Sequence, residues 1–277
     1  MGVKLFFVLS GFLITYLLLV EEQNSTIEKY NISNFWWRRV LRIWPLYFMV
    51  IFYAFVLYEP LIKLITHKES FENANLFNYL FFIPNFQLIL SKVYPLNNCL
   101  TVLWSLGIEE QFYLFWPLLF FIKRIRLYVI TFIIIFSIVF RYLNFEEIKV
   151  IEYHTFSVIG VLGIWCLLAV ITFKYKIQQH SIHLPKLINA GIYALGILLI
   201  IIYPIYFTSS YAIALSTKVT GLFFAYLIFE QIFIQNPLIS LGRVKLFTNL
   251  GKYTYGLYCL HPIGILIAYN ITKILHK

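Results

Sequence analysis

The chain has 277 residues, is 61% hydrophobic and only 12% charged, and has a mean hydropathy of +0.81. A soluble domain is about 45–50% apolar and about a quarter charged, and surface-to-volume scaling leaves a water-soluble fold no room to bury this much apolar surface. A soluble globular protein is excluded, and the expectation is an all-α polytopic bundle embedded in a lipid bilayer. The net charge of +10 would suggest nucleic acid in a soluble protein. Here the basic residues flank apolar runs, so anionic headgroups or a bound anion are the expected counterparts, and no nucleic-acid partner is expected.

Spanning the hydrocarbon takes about 20 apolar residues. Nine segments meet or approach that length, at roughly 2–20, 40–58, 76–91, 99–122, 127–143, 154–173, 187–204, 211–234 and 253–272. The runs are continuous rather than alternating, so helices are expected and a closed β-barrel is not. Pro84 and Asn85 interrupt the third segment, which is the shortest. The loops are short and no linker divides the chain, so residues 1–277 read as one transmembrane domain. Positive charges are shared too evenly between alternate loops to set an orientation. Cys99, Cys166 and Cys259 lie in separate apolar segments, without disulfide or metal spacing. They are expected as buried thiols acting as small hydrophobes, and no metal is expected.

Four places along the chain carry chemistry. The first segment contains Ser10-Gly11, which suits close helix approach. It starts at residue 2 without the cationic lead and cleavage site of a signal peptide. Either the protein begins inside a membrane helix or something upstream is missing. The second place is the run Phe35-Trp36-Trp37-Arg38-Arg39-Val40-Leu41-Arg42. On a helix, Arg39 and Arg42 lie at i,i+3 and form one cationic face. Such a face either snorkels to the interface or binds phosphate through its guanidinium groups.

The third place is Trp104-Ser105-Leu106-Gly107-Ile108-Glu109-Glu110-Gln111-Phe112-Tyr113, with two carboxylates inside an apolar segment. An ionisable group there is costly unless paired or hydrated, and it marks a function or an ion pair. Glu109 shares its face with Ser105 and Tyr113, and Glu110 shares its own with Leu106 and Leu114. Glu109 is therefore the expected inward carboxylate, with Arg42 as a possible ion-pair partner. The fourth place is Tyr258-Cys259-Leu260-His261-Pro262, where His261 is either a proton carrier or a hydrogen-bonded structural group. His67, His154, His180, His183 and His276 fall in loops or near segment ends and are expected in solvent.

The four segments GVKLFFVLSGFLI, RRVLRIWPLY, LWSLGIEEQFYLFWP and LGKYTYGLYCLHPI, in this order, resemble the acyltransferase 3 family of membrane-bound O-acyltransferases. Together they run from residue 2 to residue 264. The resemblance implies a ten-helix core, of which the nine segments lack the first. It implies transfer of an acyl group, often acetyl, from acyl-CoA to a hydroxyl of a cell-surface glycan or related acceptor. It implies a bacterial cytoplasmic membrane as location and leaves the oligomeric state open. The family's Arg-x-x-Arg falls on Arg39 and Arg42, expected to hold CoA. Its helix-five glutamate falls on Glu109, and the histidine of its C-terminal motif falls on His261, the two catalytic candidates. The family's main histidine, the expected general base, precedes the residues that this sequence matches. The expectation is thus an acyltransferase scaffold that lacks transfer activity on its own. A transporter with Glu109 and the arginines along its path, or a non-catalytic membrane protein, are the alternatives.

Overall fold

The apolar run from Gly2 onward carries no proline and forms one uninterrupted helix, α1 (Gly2–Asn24). The computed structural model describes residues 2–24, 32–66, 72–91, 94–176, 184–206, 210–234 and 236–275. His67, His180, His183 and His276 lie outside them. Most of the described residues are helical, with no β-sheet among them. Four helical stretches among them are long and apolar enough to cross a membrane: Leu5–Gln23, Ile32–Leu61, Arg126–Leu143 and Ile148–Lys174. Shorter apolar helices cover Lys186–Ile202 and Gly221–Phe233. The protein is an all-α integral membrane protein.

The chain divides into two units, each described by itself. The first holds α1 and the helices α8 (Arg126–Leu143), α9 (Ile148–Tyr153), α10 (Thr155–Lys174), α11 (Lys186–Tyr206) and α12 (Ser210–Phe233). α1 lies along α10, and α10 along α8. Ser10-Gly11 makes the first of these approaches possible. A Cβ on Gly11 would stand 2.7 Å from the carbonyl oxygen of Leu162, so only glycine fits. Val8, Phe12, Trp165, Ala169, Ala225 and Phe233 form the core there. At the end of α1, Glu22 receives a two-pronged ion pair from Arg126, at 3.0 and 3.1 Å. The side chain of Arg126 is only 8% exposed.

The second unit holds α2 (Ile32–Phe52), α3 (Tyr58–Thr66), α4 (Leu76–Leu80), α5 (Pro84–Leu90), α6 (Asn98–Val102), α7 (Trp104–Phe115) and most of α13 (Lys245–Leu275). Between α2 and α3 the chain passes through one π-helical stretch, Tyr53–Leu57. Asn75 caps α4 through Phe77 N–H and Asn97 caps α6 through Cys99 N–H. The Glu72 carboxylate accepts from the backbone N–H groups of Ala74, Leu96 and Asn97, and so ties two loops together.

Two of the nine apolar segments depart from a continuous helix. Residues 76–91 form two short helices instead, because Pro84 has no N–H to donate into the preceding turn. The break is made by Phe82, whose φ of 57° is left-handed. Its ring is clamped by Tyr47, Trp44 and Phe48, with centroids at 4.4, 5.4 and 5.7 Å. Residues 99–122 pass from α6 through α7 into a 3₁₀ turn, Trp116–Phe121, with Pro117 as its second residue. The three cysteines are buried and free.

Candidate active site

α7 is the element that positions the polar groups of the second unit. Gly107 lets it approach the Phe82–Pro84 break, since a Cβ there would meet Pro84 Cδ at 2.7 Å. On the far side, Gln111 donates to the carbonyl of Phe82 at 2.8 Å and to Asn85 Oδ1 at 3.1 Å. The left-handed residue and the buried Asn85 are thus held by the same amide.

Pro117 creates a second requirement. It lacks the N–H that would satisfy the Tyr113 carbonyl four residues earlier. The indole N–H of Trp36 supplies it, at 3.0 Å, and fixes α2 against α7. Trp36→Phe should therefore destabilise the protein by about 1–3 kcal/mol, the cost of an unpaired, partly buried carbonyl. Pro117→Ala in the Trp36→Phe background should recover much of the loss, because it returns the missing N–H. Thermal unfolding of the single and double variants in detergent measures this, and a full loss in both would place the role of Trp36 elsewhere.

The stripe Ser105, Glu109, Tyr113 is inward. Glu109 is 1% exposed and its Oε2 accepts from the Tyr113 hydroxyl at 2.7 Å. Tyr258 of α13 donates to the Val102 carbonyl at 2.9 Å, and its hydroxyl shares a hydrogen bond of 2.6 Å with that of Ser105. Tyr255 donates to the Ile43 carbonyl at 2.8 Å and ties α13 to α2.

Glu110, at half-buried depth, takes a different course. It lines a cavity of about 310 Å³ together with Arg39, Gln111, Trp36, Trp44 and Tyr113. Its Oε2 accepts from Trp44 Nε1 at 3.1 Å. The guanidinium of Arg39 lies over the rings of Phe35 and Tyr113, 5.4 and 5.7 Å from their centroids. Arg39 and Glu109 thus meet on Tyr113, one on its face and one at its hydroxyl. Arg42 is exposed and does not line the cavity. Of the two arginines read as one face, the cavity takes only Arg39.

His261 is exposed, with Nδ1 2.6 Å from the carbonyl oxygen of Tyr258. A carbonyl only accepts, so Nδ1 carries hydrogen and the neutral ring keeps its lone pair on Nε2. Sequence reasoning set Glu110 aside on its leucine neighbours. Leu114, one of those neighbours, also lines the cavity, because the wall there is apolar and aromatic rather than polar.

The acyltransferase domain family matches residues 1–276. The chain belongs to this family. Among curated relatives, the peptidoglycan O-acetyltransferase OatA of Listeria monocytogenes is 37% identical over 135 residues, which cover 45% of this chain and 20% of that protein. YrhL of Bacillus subtilis is 27% identical over 301 aligned positions, covering 99% of this chain and 45% of its own length. The O-acetyltransferase OatA of Staphylococcus aureus is also 27% identical, covering 96% of this chain and 46% of its own length. The chain therefore spans less than half the length of these relatives. No solved structure matches it.

Proposed function

We propose that this family member takes part in O-acetyl transfer from acetyl-CoA to a hydroxyl of a cell-wall glycan, at the bacterial cytoplasmic membrane. The cavity beside α7 carries the reading: an arginine lying against two aromatic rings stands beside carboxylate, amide and indole groups in an otherwise apolar helical protein. The family match over residues 1–276 and the names of the relatives supply the reaction class.

In the proposed reaction the acceptor oxygen attacks the thioester carbonyl, its proton passes to a base, and the CoA thiolate leaves. Arg39 and Arg42 hold the anionic CoA portion. Glu109 acts as a positioning residue, since its hydrogen bond sets the Tyr113 ring on which Arg39 rests. His261 offers a free Nε2 but is not paired with the arginines in any contact of the structure.

The test reconstitutes the chain in lipid nanodiscs and measures acetyl-CoA binding, then transfer of labelled acetyl to peptidoglycan fragments. Binding that weakens with salt is the expected result. No acetyl-CoA binding at low salt would remove the reading. Robust transfer would mean that His261, or another residue of these 277, serves as the base.

A further inference from the structure

In the first unit, α8 and α12 both pack on α10, and a cavity of about 170 Å³ lies among the three helices. α8 lines it with Ile134, Ser137, Ile138 and Arg141, the i, i+3, i+4, i+7 spacing of one helix face. That stripe covers two turns, about 10 Å along the helix. Ile164 of α10 and Leu222 of α12 continue the apolar wall. Gly221 of α12 keeps the space open, since a Cβ there would meet nothing nearer than Trp165 Cζ2 at 3.8 Å. Ile138 and Leu222 are 45% and 62% exposed, so the cavity opens beside them on the outer surface, which a membrane protein presents to lipid.

Arg141 is the one charged side chain among the residues that line this cavity. It stands in the last turn of α8, where a membrane-spanning helix reaches headgroup depth. An ordinary flanking arginine would swing freely there, but this one is held. Its Nη1 donates to the carbonyls of Ile151 and Ser157 and, at 2.9 Å, to Ser157 Oγ. The guanidinium is thus fixed to the joint between α9 and α10. Nη2 makes no hydrogen bond and is not sealed off from its surroundings. Glu152 lies within electrostatic reach but forms no ion pair with Arg141. The serines add no free donor: Ser137 Oγ donates to the Ser157 carbonyl at 2.9 Å, and Ser157 Oγ donates to the Ile151 carbonyl.

One held cationic donor at headgroup depth therefore stands over an apolar slot. Ordered water needs two to four polar partners, which the slot lacks. A sugar needs more still. A free phosphate would use Nη2 and leave the slot empty. An amphiphile with an anion at one end and hydrocarbon at the other answers both features. We propose that the cavity binds an anionic phospholipid of the bilayer. Its phosphate accepts from Arg141 Nη2, and the first part of one acyl chain lies between Ile134, Ile138 and Leu222. The volume is close to that of an apolar cavity that takes a benzene ring, about 150 Å³, so the rest of the chain stays in the bilayer. A zwitterionic headgroup is the poorer fit, because no carboxylate lines the cavity to receive its ammonium. The site does not depend on the acyl-CoA reading.

The test titrates the purified chain in detergent with phosphatidylglycerol and counts the retained lipid by native mass spectrometry. Phosphatidylethanolamine with the same chains and glycerol 3-phosphate are the comparison probes. The unchanged chain should retain one phosphatidylglycerol in preference to phosphatidylethanolamine, and glycerol 3-phosphate should not displace it. Arg141→Gln should weaken retention about tenfold, the loss expected for a hydrogen bond to a charged group. Gly221→Leu fills the slot and leaves Arg141 in place, and it should weaken retention as much. It also decides the matter if Arg141→Gln does not fold. Unchanged retention in Gly221→Leu overturns the proposal, since the headgroup would then bind without the slot. Equal retention of the two lipids overturns it as well. Displacement by glycerol 3-phosphate would make this a site for a soluble anion and not for a lipid.

Discussion

Arg126→Ala should cost about 3–5 kcal/mol of stability, the loss expected when one partner of a buried ion pair is removed and the other is left behind. Arg126 makes both prongs of the pair with Glu22, at 3.0 and 3.1 Å. It also donates to the carbonyls of Leu119 and Phe120 and stacks 4.1 Å above the Phe120 ring. It therefore closes the turn between the 3₁₀ stretch and α8 as well as the end of α1. Lys123 reaches Glu22 at 2.9 Å but is 70% exposed, and an exposed partner contributes little. Lys123→Ala should be nearly silent. The double variant Glu22→Gln/Arg126→Met should lose much less than Arg126→Ala, because no charge is stranded. Thermal unfolding in one detergent compares the three. An Arg126→Ala loss below about 1 kcal/mol would mean that the pair is effectively solvated.

Arg39→Ala should weaken acetyl-CoA binding by about tenfold or more, the range for a hydrogen bond to a charged group. Arg39→Lys should not rescue it. The guanidinium carbon lies 5.4 and 5.7 Å from the ring centroids of Phe35 and Tyr113, and an ammonium keeps the charge without the fork of N–H donors. Arg42→Ala should have a smaller effect that fades as salt is raised, because Arg42 is exposed. Calorimetric titration at low and physiological salt separates the two. Unchanged affinity in both alanine variants would reduce the pair to interfacial flanks.

The two predictions differ in how much of them the sequence foretells. The Arg39–Arg42 spacing is visible as i,i+3 on a helix, and so is the stripe of Ser105, Glu109 and Tyr113. Helical period decides which residues share a face, and that information is local. The Glu22–Arg126 pair is invisible, because 104 positions separate its partners. Nothing in either segment names the other.

What the sequence determined by itself is the solvent and the class. An apolar excess this large has no home in water, and continuous apolar runs in lipid must satisfy their own backbone, which only helices do here. It also marked the breaks, since Pro84 and Pro117 remove hydrogen bonds wherever they stand. The tertiary structure alone decided what answers those breaks. The Trp36 indole took the carbonyl that Pro117 orphans, and Gln111 took the carbonyl of left-handed Phe82. It also decided which glutamate opens on the cavity. Period places Glu109 and Glu110 about 100° apart on α7, but which direction holds a void depends on Trp36 and Trp44 arriving from α2 and Phe82 from the break between α4 and α5. Side chains distant in sequence create a cavity only when they meet, and no local pattern records the space left between them.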